Sequence, residues 1–181
     1  MKRVFGVSAV ILMLITGCGR MEVRKSLKRM MSEPVEFPES MMCLIRGDVM
    51  DVEVEPTSKI LVVYADSTEC STCRVSNFYR YSGLMEQGEM TGNFSTMFLV
   101  SPTKTRRDSL VDFIRLIEAD YPIYVDYENE FLSKNMHIPT DPRFHTFTID
   151  SQGNILLVGD PIINHKILPL FNQLFHQVHN Y

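Results

Sequence analysis

Two cysteines set two residues apart, Cys70 and Cys73, are the positions in this sequence whose types and spacing are best suited to covalent chemistry. They follow Lys59–Ala65 (KILVVYA), a short β-branched run that reads as a buried central strand. They precede residues 74–87, where Val75, Phe78, Tyr79, Ser82, Leu84 and Met85 give a helix with an imperfect apolar face. A cysteine at such a junction lies at a helix N-terminus, where unpaired N–H groups and the helix dipole stabilise a thiolate. The second cysteine, one turn on, is within disulfide reach. Ser71 and Thr72 can cap the helix, and Arg74 adds a positive charge that favours the thiolate further. The pattern suits thiol–disulfide exchange, with Cys70 attacking and Cys73 resolving the mixed disulfide. His145, if its strand position turns it toward the pair, could carry protons between the two sulfurs near neutral pH. The plainer reading makes it a polar strand residue facing solvent.

Other chemistries fit the same pair. A Cys-x-x-Cys can be half of a zinc site, but two more ligands are needed. The remaining candidates are Cys43 and the histidines 137, 145, 165, 176 and 179, of which only His176 and His179 have a helical i, i+3 spacing. The pair can also be a structural disulfide in an exported domain. Met41-Met42-Cys43 reads as core, with Cys43 a buried thiol, and Tyr64, Phe78, Tyr79 and Phe94 read as core aromatics.

The N-terminus reads as an address. Met1-Lys2-Arg3 is basic, Val4 to Ile15 is almost wholly apolar, and Ile15-Thr16-Gly17-Cys18 follows. That is a secretory signal too short to be a comfortable membrane span. Its end resembles the lipobox of bacterial lipoproteins, which implies cleavage before Cys18 and lipid on that cysteine. The expected organisation is a signal peptide over 1–17, a lipid-anchored tether or short helix over 18–33, and one domain over 34–181. With 181 residues the chain has room for little more than one domain. A net charge of -4 gives no reason to expect nucleic acid as a partner.

The elements that must hold the cysteines follow from the hydrophobic pattern. Short strands are expected near Met41–Ile45 and Val49–Val54, joined at Arg46-Gly47-Asp48. Phe94–Val100 is a second buried strand, Ser109–Glu118 a helix, and Tyr121–Val125 a third strand. A short helix falls within 126–135. His145–Ile149 and Asn154–Val158 form a hairpin about Gly153, and Ile167–Val178 has the cleanest helical period in the chain. This order predicts an α/β fold with a central mixed sheet flanked by helices and an N-terminal strand extension.

Strand, Cys70-Ser71-Thr72-Cys73-Arg74, helix, then Thr146-Phe147-Thr148-Ile149-Asp150-Ser151-Gln152-Gly153-Asn154-Ile155 and a final helix resemble the thioredoxin-like superfamily. The resemblance is to its membrane-anchored periplasmic thiol–disulfide reductases and peroxiredoxin-like group. Gly159-Asp160-Pro161-Ile162 is similar to a segment of the thioredoxin-like lipoproteins of Bacteroidales. The family's tryptophan before the first cysteine is Glu69 here, and its cis-proline position is matched by Phe144, which would wall the site. The resemblance implies a thiol–disulfide oxidoreductase acting on protein or small-molecule disulfides. It would need no metal or organic cofactor and would take electrons from a membrane reductase. The implied location is the envelope of a Gram-negative bacterium, lipid-anchored at the outer membrane and facing the periplasm or the cell surface. A non-enzymatic thioredoxin-fold lipoprotein with a structural disulfide, or a peroxide reductase, are the alternatives. Geometrically, Cys70 should be exposed, Cys73 more buried, and the Phe144–His145 segment should face the pair. The strands ending at Ala65 and beginning near His145 should be neighbours.

Overall fold

A computed structural model describes residues 21–50 and 59–176. The signal peptide expected over 1–17, Cys18, the later part of the strand expected over Val49–Val54, and the expected helix end with Val178 and His179 lie outside the described residues. Residues 21–30 are helical (α1). Then come β1 (Met42–Ile45), β2 (Asp48–Met50), β3 (Lys59–Ala65), α2 (Ser71–Val75), a 3-10 turn (Phe78–Tyr81) and α3 (Ser82–Thr91). They are followed by β4 (Ser95–Val100), α4 (Arg107–Ile117), β5 (Ile123–Val125), α5 (Phe131–Lys134) and a second 3-10 turn (Pro142–Phe144). β6 (Thr146–Asp150), β7 (Ile155–Val158) and α6 (Ile167–His176) complete the order.

The strands form one sheet in the order β2-β1-β5-β4-β3-β6-β7. β3 is an interior strand, parallel to β4 and antiparallel to β6, with Val63 opposite Thr146. The strand that ends at Ala65 and the strand that begins after His145 are therefore neighbours, as the pattern predicts. The N-terminal extension is an antiparallel hairpin, β1–β2, whose turn residues Arg46 and Gly47 both have positive φ, 51° and 82°. Two adjacent left-handed residues match the twist of the strands they join, so this tripeptide is a turn.

Alternation along β3 builds a core on each face. Leu61, Val63 and Ala65 point to one face, where they meet Val75 of α2, Leu84 of α3, Leu110 and Ile114 of α4, and Phe171 of α6. Val62 and Tyr64 point to the other, where they meet Met30 of α1, Val35, Phe131 of α5, Phe144 and Phe147. Met30 is fully buried, so the packed unit begins before residue 34 and takes in residues first read as a tether or short helix.

The single helix expected over 74–87 is broken into α2, the 3-10 turn and α3. Gly92, with φ 64°, closes α3 in the left-handed conformation that glycine supplies at helix ends.

Candidate active site

The site is built at the C-terminal end of β3, where the chain leaves the sheet. Asp66 is buried and organises the turn. Its Oδ1 accepts from the Thr68 backbone N–H at 2.7 Å, the Thr68 hydroxyl at 2.6 Å and the Glu69 N–H at 3.3 Å. This side-chain turn delivers Cys70 to the N-cap of α2, where its Sγ faces the Cys73 N–H at 3.4 Å. Cys70 and Cys73 are disulfide-bonded, with Cα atoms 5.2 Å apart.

Both cysteines are exposed, which corrects the expectation that Cys73 would be the more buried. The cause is the helical phase of α2. Val75 is its buried residue, and Cys73 lies two residues earlier, roughly 200° round the helix at about 100° per residue. It therefore faces away from the core.

Glu69, immediately before Cys70 in the chain, joins Arg74 and His145, which come from different elements. Its Oε2 lies 3.4 Å from Nε of Arg74, on α2, and its Oε1 lies 3.1 Å from Nδ1 of His145. Arg74 also donates to the Tyr64 carbonyl at 3.4 Å. His145 is fully buried, which overturns the solvent-facing reading. Its Nε2 sits 2.9 Å from the carbonyl oxygen of Pro139. A carbonyl can only accept, so Nε2 carries a hydrogen. One further proton must then lie between Nδ1 and the Glu69 carboxyl. Wherever that proton sits, the Glu69–His145 pair has zero net charge, and Arg74 leaves the cluster with one positive charge beside Cys70.

His145 is thus bonded to the side chain of Glu69, the residue that precedes Cys70 in the chain. Phe144 does not wall the disulfide. Its side chain belongs to the core on the sheet face opposite α2, because the 3-10 turn Pro142–Phe144 rolls it inward. Every peptide bond among the described residues is trans, including those at the position matched to the family's proline.

A second network supports the histidine. The His145 ring packs edge-on against Tyr64 at 5.0 Å between centroids. The Tyr64 hydroxyl donates to Ser101 Oγ at 3.1 Å, which donates to Asp126 Oδ2 at 2.8 Å. Asp126 is buried and accepts from the backbone N–H groups of Glu130 and Phe131. Burial holds the Tyr64 phenol well above its usual range, so it remains a donor. Sequence reasoning had Tyr64 as an ordinary core aromatic and missed Ser101 and Asp126. No local spacing links positions 64, 101 and 126, which meet only through the β3–β4–β5 register.

Cys43 is buried on the second core, and burial pushes its thiol up, with Tyr124 beside it drawing it back. Among the described residues no cluster of three or more His, Cys, Asp or Glu side chains is placed to hold a metal ion. On the α2 side a pocket of about 220 Å³ lies between Arg74, Asn77, Phe78, Tyr81 and Ile162. The Tyr81 hydroxyl donates to Asp160 at 2.5 Å, which ties the β7–α6 loop to the 3-10 turn that follows α2.

The architecture is the thioredoxin-like α/β fold: a mixed sheet flanked by helices, with a Cys-x-x-Cys pair where β3 meets α2. No family model and no curated protein matches the chain. Among solved structures, it is similar to a Chlorobium tepidum protein named as a thiol:disulfide interchange protein, DsbE. The TM-score is 0.53 at 15% identity, over 80% of this chain and 99% of that one.

Proposed function

We propose that this chain is a lipid-anchored periplasmic thiol–disulfide oxidoreductase acting on protein or small-molecule disulfides. The observation that carries it is the exposed Cys70–Cys73 pair at the N-cap of α2, with a net positive cluster behind it. In the reducing direction, the Cys70 thiolate attacks one substrate sulfur and expels the other as a thiolate. Cys73 gives up its proton, attacks Cys70 Sγ and releases the second substrate thiol. Two electrons pass to the substrate, and the Cys73 proton leaves with one of its thiols. The proton-exchanging group assigned to this step is Glu69, which precedes Cys70 in the chain and is linked to buried His145. Resetting the pair needs a dithiol donor, which outside the cytosol would be a membrane reductase. Cys18 would be the lipidated residue.

A structural disulfide is the competing reading, and loop length speaks against it. A bridge over so few residues removes little chain entropy, about 2 kcal/mol. An exposed pair is also poorly placed as a staple. The lipidated protein should reduce a model disulfide when supplied with a dithiol, and Cys70→Ser should abolish turnover. Cys73→Ser should accumulate a mixed disulfide at Cys70, visible by mass. Full turnover by Cys70→Ser, or a loss of more than about 4 kcal/mol of stability without an exchange defect, would return the pair to a structural role.

A further inference from the structure

The first helix presents a face that the domain does not use for its own packing. α1 buries Met30 completely and Leu27 in part against the second core. Its outer side carries Arg24, Lys25, Lys28 and Arg29, all exposed, with Glu22 as the only acid in the helix. The chain as a whole is acidic, with 22 Asp and Glu against 18 Lys and Arg, so this helix reverses the local sign. Large apolar side chains stand among these cations. Met21 is 71% exposed, Met31 54% and Met136 74%. Met136 is brought alongside by Arg29, whose guanidinium donates to the Met136 carbonyl.

Cations interleaved with exposed methionines on one helix face match the interface of an anionic lipid layer, with charges at the headgroups and apolar side chains at the acyl boundary. Position along the chain selects lipid over protein as the occupant. Three peptide units separate Cys18 from Met21, and they reach at most about 11 Å in any conformation. The Debye length at physiological ionic strength is about 8 Å. A lipid on Cys18 therefore keeps the first turn of α1 near the range in which the surface potential acts. We propose that α1 docks on an anionic lipid surface through Arg24, Lys25 and Lys28, with Met21, Met31 and Met136 entering the interface. This rests on the reading of Cys18 as the lipid anchor.

Among the described residues no helix is long and apolar enough to cross a membrane, so this contact would be a surface contact.

The chain has no tryptophan, so Met31→Trp places a single indole on this face. The full lipidated protein carrying it is reconstituted in vesicles of phosphatidylcholine, with or without phosphatidylglycerol, and with acyl-chain bromines as quenchers. In the anionic vesicles the emission should shift to the blue and be quenched by about half, as for a side chain roughly 5–10 Å deep. High salt, or Arg24→Glu with Lys25→Glu and Lys28→Glu, should reverse both effects. Tyr79→Trp, on α2's side of the sheet, should respond to neither lipid. Protein that floats with both vesicle types while the Met31→Trp emission stays the same in each overturns the docking and leaves the anchor standing. Protein that does not float, with no lipid mass on Cys18, overturns the anchor and the docking together.

Discussion

Glu69 places a carboxylate immediately before the cysteine that has to ionise, a position from which a free negative charge would disfavour the thiolate. His145 and Arg74 remove that difficulty by taking up its two oxygens. Because the Glu69–His145 pair is neutral with its shared proton, its two members differ in what their loss would do. His145→Phe leaves Glu69 balanced only by Arg74 and takes one positive charge from the cluster. The thiolate fraction of Cys70 at neutral pH should fall about tenfold, roughly one unit along the pH axis. Glu69→Gln leaves a neutral imidazole and keeps the cluster's net charge, so it should stay within about threefold of the parent. Iodoacetamide alkylation of the reduced protein as a function of pH reads both. Equal profiles for the two variants would show that the cluster's net charge does not govern Cys70.

At the level of elements, the β6–β7 hairpin couples the site's strand to the N-terminal segment. Gly153 has φ 83°, and its carbonyl accepts from the Val35 N–H at 2.9 Å. A Cβ there would stand 2.7 Å from the Val35 carbonyl oxygen. Gly153→Ala therefore combines left-handed strain with a backbone clash. It should cost about 2–3 kcal/mol in denaturant unfolding. Gly83, inside α3, has nothing within 4 Å of its added Cβ. Gly83→Ala should stabilise by about 0.4–1 kcal/mol, since it only restrains the unfolded chain and improves helix propensity. A similar cost at both positions would mean that the close approach to Val35 is not what makes Gly153 necessary.

For the whole molecule, the second core is closed from outside the strand–helix pattern, by α1 and the chain that follows it. Met30 is fully buried there, and Asn135 accepts from the Glu36 N–H and donates to its carbonyl, pinning the segment to the end of α5. Met30→Ala should cost about 2–5 kcal/mol, the range for emptying a large buried side chain. Urea unfolding followed by far-UV circular dichroism would measure it. A loss below about 1 kcal/mol would mean that α1 is an appendage and not a wall of the core.

The central strands, the cysteine pair, the hairpin about Gly153 and the period of α6 were legible in the residues themselves, because each depends on neighbours within a few positions. KILVVYA buries both faces of a strand whatever surrounds it, and Cys-x-x-Cys after it can hardly avoid a helix N-terminus. The helix that follows was legible only in part, since its apolar spacing does not show that Ser76 and Asn77 break it into two helices and a 3-10 turn. Exposure of Cys73 followed from the phase of α2 set by buried Val75, which is a property of packing. The partners of His145 belong to Glu69, 76 residues away in sequence, and to a carbonyl of the preceding loop. Phe144 turned to the opposite core for the same kind of reason: a 3-10 turn before β6 set its direction. Chemistry that rests on spacing could be read from the chain. Chemistry that rests on which charges meet needed the sheet register that brings β3 beside β6.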